Sequence, residues 1–347
     1  MIKKFQILSI FTGGGGLDIG FHGGFNFLNK KYTELPFETH TAIDFNKDAC
    51  KTIAHNKQYF KNTNVFHADI TKLNESELET PAGGFDILLG GFPCLAFSTQ
   101  GKRLGIKDDL SGKLYLRYFD FLNFFRPKVF VAENVKGIIS ANGGEALKII
   151  TKKFESAGYL VSVHLVNFAE YGTPQLRERV LFIGVRNDLN YSFELPDKVC
   201  KDNTEYITSK MAFEGLSDDL PNSVGSKLQS LTRDRIDAIP EGGNFKDLPP
   251  HLSIKAKMSN VYRRLDRNKA SYTVTASGGG GSMHYHYEEP RPLTNRERAR
   301  LQGFPDDLHF QGSLGEVRRQ IGNAVPPVGV YPFAEQLSKL LLKINSK

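Results

Sequence analysis

Short apolar runs alternate with helix-length or turn-rich segments through the first 186 residues. Runs at 5–11, 39–44, 85–89, 129–133, 160–167 and 179–185 have strand length and are rich in Ile, Val, Leu and Phe. Strands spaced by helical segments predict an α/β fold with a mostly parallel sheet and helices on both faces. In such sheets ligands bind beyond the carboxyl ends of the strands. Polar and glycine-rich positions collect there: glycines 13–16, Asp44, Asp69, Pro93-Cys94 and Glu133-Asn134.

Residues 187–290 read differently. Apolar periodicity is weak, and Pro, Gly, Asn and Ser are frequent. Gly278 to Gly281 reads as a hinge or loop. A capped helix is predicted over 294–302, ending at Gly303. The tail 328–344 places Phe333, Leu337, Leu340 and Leu341 at helical spacing, which predicts an amphipathic helix packed back on the first domain. The pattern therefore divides the chain into 1–186 plus 318–347 and a smaller irregular unit, 187–317.

Composition narrows the function classes. Hydrophobic residues make up 40% of the 347, enough for a sizeable core, and no apolar run reaches the roughly 18 residues of a membrane span. The N-terminal apolar stretch is too short for a signal peptide and reads as a first strand entering a turn. Three cysteines, Cys50, Cys94 and Cys200, are too few and too scattered for a disulfide framework or a zinc site, and suit a reducing cytosol. The formal net charge is +7. It is unevenly spread: residues 187–250 carry 12 acidic and 7 basic side chains, whereas 251–277 carry six Lys or Arg against one Asp. That basic band reads equally well as a solvated face or as a phosphate-contacting surface.

The chemistry-bearing positions come in an order. A glycine-rich turn, Phe11-Thr-Gly-Gly-Gly-Gly16, follows the first strand, and Asp44 and Asp69 close later strands. Each alone is a weak signal, but the series suits a nucleoside-type cofactor. Gly90-Gly-Phe-Pro-Cys94 presents a thiol just past a strand end, Glu133-Asn134-Val135 ends another strand in a carboxylate, and Gln175-Leu-Arg177-Glu-Arg179 precedes the last strand of the first domain. With Arg296 to Pro305 (Arg-Glu-Arg-Ala-Arg-Leu-Gln-Gly-Phe-Pro) and Gln320 to Pro327 (Gln-Ile-Gly-Asn-Ala-Val-Pro-Pro), six motifs spanning 11–327 follow one another as in the cytosine-C5 DNA methyltransferase family, which the chain closely resembles. It departs from the family's usual residues at Ser9 (usually Asp), at Leu95 (usually Gln) and at Asp44 (often Glu).

The resemblance implies a Rossmann-like fold of the S-adenosylmethionine-dependent methyltransferase type plus a target-recognition domain. It implies S-adenosyl-L-methionine as methyl donor, S-adenosyl-L-homocysteine as product, and no metal. Cys94 would add to carbon 6 of a flipped cytosine, because carbon 5 is a poor nucleophile until a thiolate has saturated the ring. Glu133 would protonate or hydrogen-bond nitrogen 3, Arg179 would hold oxygen 2, and Arg177 would brace them. The cofactor would lie against Phe11, Gly13, Gly15, Gly16, Asp44, Phe45, Asp69, Ile70, Pro93, Asn323 and Val325. Ser98, Lys102 and Arg103, in a loop rich in glycine and charge, would meet DNA. So would Tyr272 and Thr275, with Arg263, Arg264 and Arg267 as base-edge readers. The expected partner is double-stranded DNA, with a cognate restriction endonuclease acting separately. The chain is expected to be a cytosolic, nucleoid-associated monomer with no membrane contact. A transfer-RNA cytosine methyltransferase on the same fold is the alternative. A silent DNA-binding module leaves the intact Cys94, Glu133 and Arg179 unexplained, and a nicotinamide-dependent dehydrogenase leaves the Pro-Cys loop unexplained.

Overall fold

The computed structural model describes residues 4–92, 110–226, 228–256, 261–276 and 284–346. Its strands are β1 (Phe5–Ile10), β2 (Phe25–Phe27), β3 (Lys30–Tyr32), β4 (Phe37–Asp44), β5 (Asn64–His67), β6 (Ile87–Gly90), β7 (Val129–Val135), β8 (Tyr159–Asn167), β9 (Gln175–Leu176), β10 (Glu178–Arg186) and β11 (Ser271–Tyr272). Its α-helices are α1 (Gly16–His22), α2 (Lys47–His55), α3 (Leu110–Phe125), α4 (Glu145–Ser156), α5 (Ser209–Phe213), α6 (Ser230–Ala238), α7 (Asn295–Leu301), α8 (Leu314–Asn323) and α9 (Pro327–Asn345).

Seven strands form one sheet in the order β5-β4-β1-β6-β7-β10-β8. The pairs from β5 to β7 are parallel, and β10 runs antiparallel to both β7 and β8. Side chains of the strands alternate between two apolar layers, with one change of phase in β4 at the register shift between Thr39 and Thr41. Phe5, Ile7, Val129, Val131, Leu181 and Ile183 join one layer, with α1, α7, α8 and α9. Leu8, Ile10, Phe130, Ala132, Val180 and Phe182 join the other, with α3 and α4. Burial on both faces explains why the central strands read as continuous apolar runs rather than alternating ones.

All six strands read from the sequence lie in this sheet. The edge strand β5 is placed in the sequence only by Asp69 at its end, without bounds, and it stops two residues short of that carboxylate. Its residues, Asn-Val-Phe-His, are half exposed and too polar to stand out as an apolar run. The 25–32 hairpin was silent, since its strands have only three residues each. Helix α7 opens with a capping box between Thr294 and Glu297, and Gly303 follows it at φ 77°. Helix α9 buries Phe333, Leu337 and Leu341 against α1 and the main core.

Between β10 and α7, a separate small core gathers Ile236, Ile239, Leu248, Tyr262 and Tyr285. The α7 region instead packs into the main core through Leu293, Ala299, Leu301, Phe304, Leu308 and Phe310. Among the described residues no helix is long and apolar enough to cross a membrane.

Candidate active site

Strand β1 ends at Ile10 and the chain turns sharply. Phe11 has φ 55°, Gly13 φ 58° and Gly15 φ 78°, left-handed values that glycine adopts at little cost. Gly16 then opens α1, and a Cβ there would sit 2.3 Å from the Val325 carbonyl oxygen. The absence of that methyl lets the start of α9 close over the first turn, so positions 16 and 325 meet across the whole chain.

The turn forms one end of a cavity of about 700 Å³, within the usual range for small-molecule sites. Phe11, Gly13, Gly16, Asp44, Phe45, Asp69, Ile70, Asn323 and Val325 all line it, and Glu133, Arg177 and Arg179 line the same cavity. Gly15 is turned away beneath the loop, packed beside Ile53 and Phe60. Cys94, Pro93, Ser98, Lys102 and Arg103 lie outside the described residues.

The carboxylates at the turn are anchored by backbone. Asp44 Oδ2 accepts from the Gly13 amide at 2.7 Å and Oδ1 from the Asn46 amide at 2.7 Å. Burial pushes the Asp44 carboxyl above its ordinary value, against the opposing pull of those two amides. Asp69 Oδ1 accepts from the Thr71 hydroxyl and amide, which hold its carboxyl below the usual range. Between them Phe45 is 75% exposed, a large aromatic face uncovered at the cavity wall.

Ser9, where the family usually has Asp, donates its hydroxyl to Asp18 Oδ2 at 3.0 Å, and Thr39 donates to Oδ1 at 2.8 Å. A carboxylate thus arrives from α1 instead of from β1. Asp18 is fully buried, and burial pushes its pKa up to about 6 although both hydroxyls pull the other way. Sequence reading missed Asp18; a lone acid inside a short apolar helix, Leu-Asp-Ile-Gly-Phe, was the available signal.

At the other end, Glu133 on β7 lies opposite Leu181, two positions from Arg179 on the antiparallel β10. That diagonal places both side chains on one face, and Arg179 Nε meets Glu133 Oε1 at 2.8 Å. A Cβ at Gly91 would fall 2.9 Å from Glu133 Oε2, so glycine at 91 keeps room for the carboxylate. Asn134, on the opposite face and 2% exposed, donates to the Phe92 carbonyl at 3.2 Å, while the Phe92 ring packs on Tyr115 and Tyr118. Phe92, the last described residue before Pro93-Cys94, is thus fixed at both its ends beside Glu133. The Arg177 guanidinium is buried and donates to the Val274 and Gly322 carbonyls at 3.1 and 3.0 Å. Burial and the neighbouring Arg179 charge hold its pKa well below the usual arginine value.

The expected DNA-contacting residues separate into two kinds. Arg264 is not a base-edge reader. It is 7% exposed, and its guanidinium donates to five carbonyls, those of Ile236, Ile239, His286, Tyr287 and Glu288, at 2.8–3.3 Å. Its place is the hub of the small core, and a count of basic residues cannot tell such a hub from a surface contact. Arg267 is engaged by Glu241 at 2.9 Å. Arg263 lies over the Tyr272 ring, its Cζ 3.8 Å from the centroid, and the Tyr272 hydroxyl donates to the Arg263 carbonyl, so these two form one half-buried unit. Thr275 reaches α8, where its carbonyl carbon would lie 2.3 Å from a Cβ at Gly322.

Comparison with known proteins agrees with the geometry. The family model described as C-5 cytosine-specific DNA methylase matches residues 5–339. The chain is similar to the Type II methyltransferase M.NgoFVII of Neisseria gonorrhoeae, with 44% identity covering 96% of this chain and 87% of that protein. It is 38% identical to the Type II methyltransferase M.BbvI of Brevibacillus brevis, covering 99% and 93%. Among solved structures, a DNA modification methyltransferase encoded within an Escherichia coli prophage superposes with a TM-score of 0.73 at 22% identity, covering 98% of this chain and all of that one. The Dnmt2 methyltransferase of S. pombe superposes at 0.67 and 19%, covering 99% and 100%, which speaks to the fold alone. With its motifs in family order and its sheet and cavity assembled from them, the chain belongs to the C-5 cytosine-specific DNA methylases.

Proposed function

We propose that the protein transfers a methyl group from S-adenosyl-L-methionine to carbon 5 of a flipped cytosine within a specific duplex sequence, through a covalent Cys94 adduct, as a modification enzyme of the restriction–modification kind. The observation that carries this reading is the single cavity linking the glycine turn to the Glu133–Arg179 pair. One end suits a nucleoside cofactor and the other a pyrimidine, so two ligands would meet inside one enclosure.

The residues present fit S-adenosyl-L-methionine. The exposed Phe45 ring and the Ile70 side chain would flank an adenine. Each Asp44 oxygen accepts one amide and keeps capacity for a ribose hydroxyl. A Cβ at Gly13 would meet nothing within 4 Å, so the backbone there is open to close approach, and Asn323 and Val325 close the cavity from the opposite wall. When bound, the cofactor supplies an electrophilic methyl on a sulfonium.

The chain's own groups then have separable tasks. The Cys94 thiolate adds to carbon 6, carbon 5 then takes the methyl, and loss of the carbon-5 proton to a base expels Cys94 as thiolate. Glu133 hydrogen-bonds nitrogen 3 of the base, and Arg179 turns from Glu133 to oxygen 2, where negative charge grows. Arg177, tied to the Val274 and Gly322 carbonyls, braces the cavity wall that Arg179 also lines. Asn134 and Gly91 hold the approach to Cys94 beside Glu133. Residues 187–317 read the target sequence, with Arg263 on Tyr272 nearest to base edges.

Bisulfite sequencing of DNA from cells expressing the protein tests this reading and maps the site. A single context with methylated cytosine is expected, lost in Cys94→Ala. Unmodified DNA alongside methylated transfer RNA from the same cells would replace it with the RNA reading.

A further inference from the structure

Two motif residues have no part in the chemistry above: Gln175, which opens the Gln-x-Arg-x-Arg motif, and Gln302, which ends α7. Both are fully buried. Their side-chain amides meet each other, although they stand 127 positions apart in the chain.

The contact belongs to a longer chain of bonds. The Val274 amide donates to Gln175 Oε1 at 2.9 Å. Gln175 Nε2 donates to Gln302 Oε1 and to the Leu301 carbonyl at 2.9 Å. Gln302 Nε2 donates to the Ala324 carbonyl. Val274 N–H can only donate and the Ala324 and Leu301 carbonyls can only accept, so each side-chain amide has one permitted orientation. All the dipoles point the same way, and each bond polarises the next.

A second path runs parallel to the first. The Val274 carbonyl accepts from Arg177 Nη1, and Arg177 Nη2 donates to the Gly322 carbonyl. Gly322 carries no side chain, and a Cβ there would lie 2.2 Å from the Ala276 nitrogen, so the 275–276 backbone rests directly on the last turn of α8. Both backbone polar groups of Val274 are therefore tied to 322–324, the carbonyl directly through Arg177 and the amide through Gln175 and then Gln302. Asn323 and Val325, which line the cavity, are next to those anchors.

We propose that Gln302 and Gln175 are positioning residues that couple cofactor binding to DNA binding, by tying the 271–276 segment to the 322–325 turn. The proposal rests on the reading of the cavity as the cofactor site and of the Tyr272–Thr275 segment as DNA-facing. A ligand that orders Asn323 and Val325 sets Ala324, and through Gln302 and Gln175 it sets the Val274 backbone. By reciprocity DNA tightens the cofactor by the same factor.

The test uses the full-length protein, S-adenosyl-L-homocysteine and a duplex carrying the mapped site. Wild type should bind that duplex about fivefold or more tightly when saturated with S-adenosyl-L-homocysteine. Gln302→Met keeps side-chain length and volume but ends the relay. It should bring that ratio to about one, while affinity for either ligand alone stays within about twofold of wild type. An unchanged ratio in the variant overturns the proposal. Should Gln302→Met fail to fold, hydrogen exchange on the wild type decides alone. S-adenosyl-L-homocysteine without DNA should slow exchange at the Val274 amide, and unchanged exchange there overturns the coupling. Wild type that binds neither ligand overturns the functional reading itself, and this inference with it.

Discussion

Replacing Arg264 with methionine separates a structural arginine from a DNA-contacting one. Methionine preserves most of the apolar stem but no donor. Three of the five carbonyls lie at 3.0 Å or less from the guanidinium, those of Ile239, Tyr287 and Glu288. The other two, of His286 and Ile236, are longer at 3.2 and 3.3 Å. An unpaired buried acceptor costs roughly 1–3 kcal/mol, and two of the carbonyls belong to Ile236 and Ile239 of the small core. Water reaching the outer carbonyls offsets part of the loss, which leaves a destabilisation of about 3–5 kcal/mol. Melting as one cooperative unit, a chain of this size loses roughly 1–2 °C per kcal/mol, so Tm should fall by about 5 °C. The assay pairs thermal melting with DNA affinity measured across salt concentrations. An arginine on phosphate contributes roughly one unit to the slope of log affinity against log salt. The slope should be unchanged for Arg264→Met in the temperature range where it is folded. A variant with wild-type Tm and a shallower slope would refute the assignment.

Asp18 gives the protein a pH dependence of known sign. Its folded pKa of about 6 exceeds the ordinary value of 3.8, so its contribution is fully present below about pH 4, declines as pH rises and is lost above about pH 6. The penalty at neutral pH is roughly 3 kcal/mol. Urea denaturation of Asp18→Asn from pH 4 to 7.5 should show the wild-type minus variant difference falling across that window; parallel curves would contradict it. Arg179→Lys removes the Nε bond to Glu133 and should lower the single-turnover methylation rate by about 10²–10³-fold with little change in Tm, whereas a rate within tenfold of wild type would speak against a role at the reacting base. Gly91→Ala places a methyl 2.9 Å from Glu133 Oε2. It should lower kcat by about 10²-fold while DNA affinity is kept, and full activity would show that Glu133 has room to move.

Much of this architecture was legible in the sequence because it rests on patterns that survive without coordinates. The central strands declare themselves as apolar runs, since both faces of the sheet are buried. Helix α7 declares itself through the Thr294 and Glu297 capping box. The cavity-lining positions were readable as an ordered set of motifs, and the fold brings Phe11, Asp44, Glu133, Arg179 and Asn323 to one enclosure. Tertiary partnership was not legible. Nothing local distinguishes Arg264, which feeds five carbonyls, from Arg263, which lies on an aromatic face. Nor does the sequence show that Ser9 meets a carboxylate from α1, or that Gln175 and Gln302 touch. Such contacts span anything from 9 to 127 positions, and polar type alone does not say which of them the core will bury.

The central claim is that a thiol at position 94 attacks an extruded cytosine in the enclosure that also holds the methyl donor. The most direct measurement incubates the protein with S-adenosyl-L-methionine and a duplex carrying 5-fluorocytosine at the mapped position, followed by denaturing electrophoresis and mass spectrometry. Fluorine cannot leave as a proton does, so the account predicts a denaturation-resistant complex joined through Cys94, methylated on the base and absent in Cys94→Ala. A wild-type enzyme that methylates ordinary duplex at its full rate yet forms no such complex would contradict it.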